Sequence, residues 1–587
     1  MLNIQKTLQH ALMLCQTGQF LEAKVIYSKL IKTIPNNFEA LTNLGTIELQ
    51  LGNSEAGVKL LKKSISINPN QPSAISNLGN SLLEAGLYKD AISYYDKTIL
   101  INSNFVSAYF NKGKALTKLN DFDNAITCYN KAIEINPNYL MAHINLGFVL
   151  NELKRYDEAI CHYNFAIKLE PNFSEAYFSR GVSLDKQKYY DDALASYDRA
   201  IQLKPDYAEA YYNQGVTFGE LRRYDDALVS YDRAIQLKPD YAEAYSNQGV
   251  TYNELRRYDD ALVSYDRAIQ LKPDYAEAYW NKSLLKILLG EYEEGWSLYE
   301  WRWKASQQKD FMRNFKQPLW LGEESIKDKK ILIHTEQGLG DVIQFCRYIP
   351  MIEALAPKQI IFEVPKSLVS ILSTINSKFS VVEQGVPIPE FDIHCAIMSL
   401  PHAFKTTVDR IPASIPYLYA DVNKTKLWNK KLGIKTKPRI GLVWSGSTIH
   451  KNDHNRSLLL RQLEPLLKLP FEFHCLQNEI RPIDLEALNE YEIIQQHQDE
   501  LVDFSDTAAL IESLDFVISV DTSVAHLAGA LGKTVFILLP FASDYRWMAD
   551  KADSPWYPTA TLFRQPSPFD WDTALADVAQ ELAVILK

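Results

Sequence analysis

Prolines fall at 35, 69, 137, 171, 205, 239 and 273, a spacing of 34 residues in which Ser103 stands at the one missing place. A period of this length predicts stacked supersecondary units, because one such unit cannot bury its apolar face alone. The segment 208–241, AEAYYNQGVTFGELRRYDDALVSYDRAIQLKPDY, recurs at 242–275 with three changes, at 212/246, 218/252 and 219/253. Within it Ala210, Tyr211, Gly215 and Val216 mark one helix, and Ala227, Tyr231, Ala234 and Ile235 a second, at the i, i+3, i+4 spacing of an amphipathic stripe. Gly215 predicts a close helix–helix approach, and Pro239 the stop of the second helix. Asparagine holds the sixth place of the unit at 43, 77, 111, 145, 213, 247 and 281, with Ser179 the break. A column at fixed phase lies along one face. Asn43, Asn77, Asn111, Asn145, Asn213, Asn247 and Asn281 there either bind an extended peptide backbone, since an amide both donates and accepts, or serve repeat packing.

The unit resembles the tetratricopeptide repeat, over roughly residues 4–309 and about nine units, the last degenerate. The resemblance implies an all-α superhelix over 1–309 whose concave face takes a protein or peptide. The asparagine column resembles the ladder of the protein O-GlcNAc transferases.

After Pro273 the pattern decays into EYEEGWSLYEWRWK (291–304), where Trp296, Tyr299, Trp301 and Trp303 are expected to cap the array or dock it on the next domain. A polar connector, 310–329, leads to strand–helix alternation. Short apolar runs at 330–336, 359–365, 379–385 and 391–400, then at 438–446, 471–477, 492–496, 515–521 and 533–540, predict parallel sheets of the α/β class. Two series imply two Rossmann-like lobes, a short one at 330–425 and a second at 438–587, with the basic segment 421–437 as hinge.

Three motifs carry chemistry. EQGLGD (336–341) follows a strand and opens a helix. Ile343 breaks a dinucleotide fingerprint, and no Lys-Ser/Thr follows Gly340, so neither that site nor a P-loop fits. The turn of Gly338 and Gly340 instead presents Asp341 above a strand's carboxyl end, where open α/β sheets place their sites. A helix N-terminus favours a negative charge there, which suits a proton acceptor; the alternative is a plain helix-end partner contributing about 0.3–1 kcal/mol. SVDTSVAHLAGALGKTVFILLP (519–540) ends a strand at Asp521 and starts a helix at Thr522 and Ser523, with His526 one turn in. Its N–H groups and hydroxyls make an anion site, or an N-cap beside a packed histidine. GLVWSGSTIHKNDHNRS (441–457) ends a strand at Ser445 in a loop with His450, Lys451, His454 and Arg456, cations fit to face phosphates. A zinc reading of the two histidines with Asp453 is disfavoured, since the loop lacks an H-E-x-x-H frame.

These motifs resemble the ADP-heptose:lipopolysaccharide heptosyltransferase family over about 331–580, through GLGD at 338–341 and the 519–540 segment. The resemblance implies a two-lobed GT-B architecture and an inverting, metal-independent glycosyltransferase with no cofactor beyond the nucleotide sugar it consumes. Asp341 matches the general base; Asp521, Thr522, Ser523 and His526 match the donor motif. Gly338, Gly340, Ser445, Lys451 and Arg456 complete the donor side, and Gln477 is a candidate for the nucleotide base. The short first lobe beside a long repeat array favours a protein acceptor, by analogy with repeat-bearing transferases. A non-catalytic scaffold with degenerate lobes, and a transferase acting on a surface glycan, stand as alternatives.

The net charge of −10 makes nucleic acid a poor partner, as phosphate contacts need clustered Lys and Arg. Six scattered cysteines, with no C-x-x-C, read as thiols of a reducing compartment. The first residues lack a continuous apolar run and no stretch of 18 apolar residues occurs, so a cytoplasmic protein without a membrane span is expected, with self-association open.

Overall fold

The computed structural model describes residues 2–305, 312–449 and 452–586, without the side chains of residues 2 and 3. The chain divides into two compact units, Met1–Pro239 and Asp240–Lys587.

The first unit is a run of antiparallel helix pairs, from Leu2–Gln16 with Phe20–Thr33 to Ala208–Glu220 with Tyr224–Leu237. Each second helix ends one residue before the residue that precedes the proline column. Lys204 and Lys238 have φ near −135° and ψ near +85°, the extended state that a following proline enforces. Asn102 adopts the same conformation ahead of Ser103, so the packing keeps the bend where the proline is missing. The glycine of the eighth place has a single function: a methyl group on Gly113, Gly181 or Gly215 would stand 2.6–2.7 Å from the ring of Tyr129, Tyr197 or Tyr231 on the second helix. Those tyrosines, with Ala227 and Ala234, are the buried core of the pairs. A second periodic feature is conformational. Residues 18, 52, 86, 120, 154, 188, 222, 256 and 290, again 34 apart, all hold a positive φ between the paired helices. Four are glycines; Asn120, Lys154, Lys188, Arg222 and Arg256 take the left-handed state without that freedom.

The second unit begins with two more pairs, Ala242–Glu254 with Tyr258–Leu271 and Ala276–Leu288 with Tyr292–Tyr299. Two all-parallel sheets come next. The first has the order β3-β2-β1-β4, from β1 (Lys330–His334), β2 (Gln359–Val364), β3 (Ser380–Glu383) and β4 (Ile393–Ala396). The second has the order β10-β9-β8-β5-β6-β7, from β5 (Arg439–Val443), β6 (Glu472–Cys475), β7 (Ile494–Gln495), β8 (Phe516–Val520), β9 (Thr534–Leu539) and β10 (Ala560–Arg564). Counted from β5, that is the doubly wound order 3-2-1-4-5-6. β10 lies outside every strand expected from the sequence.

Two segments are more ordered than expected. The 421–437 segment is no open hinge: Asp421 accepts from the N–H groups of Asn423 and Lys424 and caps a helix, Val422–Leu432, that packs on Phe504–Glu512 of the second lobe. The connector is partly sheet edge, since Trp320 N–H donates to the His394 carbonyl at 2.7 Å and His394 N–H to that of Pro318 at 3.1 Å. The last two helix pairs share one compact unit with the α/β region, the docked alternative of the two expected for the aromatic segment 291–304. Trp296, 1% exposed, packs on Phe345 and Tyr545, and Trp556 donates its indole N–H to the Tyr292 hydroxyl at 3.1 Å. Arg302, fully buried, binds Glu336, Glu300 and Ser399 at 2.7–2.8 Å and stacks on Trp303. Burial opposes its charge, but the two carboxylates outweigh that and raise its pKa.

Candidate functional site

In each sheet the strand order reverses once, between β1 and β4 and between β5 and β8. Crevices form at the carboxyl ends of such strands because the helices leaving them diverge there. The three motifs occupy these ends.

β1 runs into Glu336 and then Gln337, whose φ of +64° turns the chain into the helix Leu339–Phe345. Asp341, 7% exposed, accepts from the Gly338 N–H at 3.0 Å through Oδ2, while Oδ1 pairs with Arg546. In the second sheet, β8 leads through Asp521 and Thr522 to the helix Ser523–Ala530. The Thr522 side chain does not cap this helix; its hydroxyl lies 3.0 Å from Ser519 Oγ instead. The two helices meet at Gly340, where a methyl group would stand 2.8 Å from His526 Cδ2 and 3.6 Å from Ser523 Cα. Gly340 is therefore required by the second motif rather than by its own turn.

His526 is buried and held on three sides. Trp547 stacks on it at 5.1 Å, the Tyr557 hydroxyl lies 2.9 Å from Nδ1, and Asp521 Oδ1 lies 3.9 Å from Nε2. Burial, with Arg546, Arg347 and Arg456 nearby, pushes its pKa well down, so the ring is neutral. Beneath it Arg347, 4% exposed, donates to the carbonyls of Gln344 and Trp556 and to the Tyr417 hydroxyl at 2.7–2.8 Å. Asp521 is raised to about 6 by burial and by Asp544, against the pull of Arg456 and Arg546.

Arg456 reaches this cluster from the β5 loop. Its Nη1 donates to the Asp521 carbonyl at 2.9 Å, and its guanidinium lies where a side chain on Gly446 would be, 2.6 Å from that Cβ position. Gln477 serves a different purpose from the expected contact with a nucleotide base. Its Oε1 accepts from Trp444 N–H at 2.7 Å and Ser445 N–H at 3.0 Å, and its Nε2 donates to Ser445 Oγ and the Glu479 carbonyl. Two donors and two acceptor positions are then used, so Gln477, with Ser445, fastens the β5 exit loop. Asp453 is likewise held, by Arg481 and the Ser457 hydroxyl. Lys451 and His450 lie outside the described residues. Among the described residues no group of three or more His, Cys, Asp or Glu is placed to hold a metal ion.

Arg546, in the segment SDYRW after β9, is the site residue that the sequence motifs do not reveal. It pairs with Asp341 of the first lobe and bonds Asp544 at 2.6 Å, while lying over the Tyr545 ring. Burial lowers its pKa, but Asp341 and Asp544 more than reverse this. Its sequence signal is an Asp-x-Arg flanked by aromatics shortly after a buried strand.

The asparagine column stands apart, on the first helix of each pair. Asn43 donates to the Tyr27 hydroxyl, Asn77 to Thr46 Oγ1 and Asn111 to Asn80 Oδ1 at 2.9–3.0 Å, all three reaching into the preceding repeat. Asn145 and Asn213 donate to the carbonyls of Met141 and Glu209 at 2.8 Å. Asn247 and Asn281 are half-buried.

The tetratricopeptide repeat family matches residues 106–139, 208–241 and 242–275, and further repeats of the same kind match 38–71, 128–160 and 186–222. Protein FlbA of Caulobacter vibrioides is 26% identical over 321 residues, which are 50% of this chain and 53% of FlbA. The chain thus spans about half the length of that curated relative. Among solved structures, YrrB, a TPR protein with an unusual peptide-binding site, is 27% identical over 32% of this chain and 96% of its own, at a TM-score of 0.29. MamA is 25% identical over 29% of this chain and 94% of its own, at a TM-score of 0.27. No helix among the described residues is long and apolar enough to cross a membrane. The helix pairs that precede the two parallel sheets of this chain are tetratricopeptide repeats.

Proposed function

We propose that this protein is an inverting glycosyltransferase of GT-B type that moves a sugar from a nucleotide-sugar donor to a hydroxyl of a protein recruited by its repeats. The observation that carries the reading is the meeting of two motifs from separate sheets: Asp341 stands on one wall of the cleft, and His526 and Ser523 lie against Gly340 from the other. The acceptor oxygen attacks the anomeric carbon, its proton passes to the Asp341 carboxylate, and the bond to the diphosphate breaks with the electron pair on the departing oxygen. Arg456, Arg546 and the uncapped N–H groups at Ser523 stabilise that charge, an electrostatic role of the kind that dominates many catalysed transfers. His526, held neutral by burial and the surrounding guanidinium groups, serves to position the helix start rather than to act as a base. On the repeats, the asparagine nitrogens bond within the array, so the amide oxygens are what the column offers to backbone N–H groups of an extended acceptor.

One observation favours a scaffold instead: both Asp341 oxygens are engaged, by Gly338 and Arg546. Incubating the full chain with a panel of nucleotide sugars decides between the two. The transferase reading expects thermal stabilisation by one nucleotide class, of about 2.7 kcal/mol at one hundred times the dissociation constant. It further expects turnover abolished in Asp341→Asn with that stabilisation kept. No stabilisation by any donor, or turnover intact in Asp341→Asn, overturns it.

A further inference from the structure

Arg546 touches both walls of the cleft through charge. It comes from the loop after β9, pairs with Asp341 on the first lobe, and keeps a second carboxylate, Asp544, at 2.6 Å. Its side chain is 13% exposed and that of Asp341 9%, so the pair is shielded yet reachable from the cleft. Three carboxylates, Asp341, Asp521 and Asp544, surround two guanidinium groups, Arg456 and Arg546. The Arg456 Nε, 3.8 Å from Asp453 Oδ1, is buried without a hydrogen bond among the described residues, and so is the Tyr545 hydroxyl beside Arg546. Both atoms keep a hydrogen-bonding capacity that the described residues leave unused. A buried charge pair is also costly to leave half-made, so Arg546 gives up Asp341 only to another anion.

We infer that Arg546 is an exchangeable counter-ion: it occupies Asp341 while the cleft is free of anion, and moves to the diphosphate of an incoming ligand, which both binds that anion and releases the Asp341 carboxylate. Arg546 retains Asp544 throughout, so the exchange swaps one anion for another. The ligand class is a diphosphate, since the Arg456 and Arg546 guanidinium groups and the backbone N–H groups at the start of the Ser523–Ala530 helix are separate anion donors. The inference rests on the anion-binding part of the proposed function and not on sugar transfer itself. Because the anion and Asp341 compete for one guanidinium, linkage makes the effect reciprocal.

The test uses the full chain and inorganic pyrophosphate, with affinity read by calorimetry. Asp341→Asn is expected to tighten pyrophosphate binding roughly fivefold, and Arg546→Gln to weaken it at least as much. In the Arg546→Gln background, Asp341→Asn is expected to add nothing. A general effect of removing negative charge would persist in that background, so persistence overturns the exchange. Unchanged or weaker binding in Asp341→Asn overturns it too, as does absence of pyrophosphate binding to the wild type. Arg546→Lys, which keeps the charge and loses the fork, covers the case in which Arg546→Gln does not fold, and is expected to bind between the two. If the cycle behaves as expected and no nucleotide sugar is turned over, the exchange stands and the transferase reading falls.

Discussion

Replacing Gly340 by alanine tests whether the approach of two helices is what assembles the site. The new methyl would stand 2.8 Å from His526 Cδ2, against an optimal carbon–carbon contact of about 3.5–4.0 Å. A shift of roughly 0.7 Å or more is then needed. His526 cannot supply it, being fixed by Trp547, Tyr557 and Asp521, and Ser523 Cα lies only 3.6 Å away. The helices must part, at an overpacking cost of about 1–3 kcal/mol. Separation of that size moves Asp341 against the Ser523 helix, and misplacement near 1 Å lowers turnover about a hundredfold. The expected result is a thermal midpoint lowered by a few degrees, with stabilisation by nucleotide sugar and turnover nearly lost. Gly219→Ala is the control, in a helix with nothing within 4 Å of the new methyl, and is expected to stabilise by about 0.5–1 kcal/mol. Wild-type ligand stabilisation and turnover in Gly340→Ala would refute the reasoning.

The positive-φ column gives a reciprocal pair: Lys188→Gly raises, and Gly86→Ala lowers, the stability read from urea unfolding, each by about 1 kcal/mol, because Gly86 has nothing within 4 Å and the change is purely of backbone. Gln477→Ala strips partners from the buried N–H groups of Trp444 and Ser445 and is expected to destabilise by about 2–4 kcal/mol, read by denaturant unfolding; a change confined to nucleotide affinity would restore a ligand role for Gln477. His474 and His497, 3.1 Å apart, are lowered to about 4, chiefly by burial. Their folded pKa lies below the unfolded one, so they contribute stability above about pH 6.5 that is lost as pH falls toward 4. One such ring destabilises by about 2 kcal/mol at pH 5 relative to pH 7.5. His497→Phe should flatten the fall of the thermal midpoint between those values, and an unchanged slope counts against the pair as its source.

The repeats were legible because their period is written at several places of the unit at once. The strands of the sheets were legible where apolar runs were continuous, as at β1 and β8. β10 was not: Thr561 and Arg564 interrupt ATLFR, and its pairing with β9 depends on a neighbour that sequence cannot place. The 421–437 segment misled by composition, since its lysines lie on a solvated helix face and only the Asp421 cap marks the start. At the site, Asp341, Asp521, Ser523 and His526 stood out because each lies just beyond a strand end. Arg546 did not, as its meaning comes from a carboxylate 205 positions earlier in the chain. Gln477 looked like a ligand contact because its location is right; only the geometry of its four bonds shows that it is occupied.

The two near-identical repeats, 208–241 and 242–275, lie on either side of the boundary between the compact units. Downstream of them the array is irreplaceable: Arg302 on Glu336 and Tyr292 on Trp556 tie its last turns into the walls of the cleft. Upstream, each repeat bonds mainly to its neighbours in the array. Growth by copying is therefore confined to one side, and the duplicate pair stands where copying is harmless. Such a chain can lengthen or shorten in whole repeats while the segment bonded to the sheets stays the same.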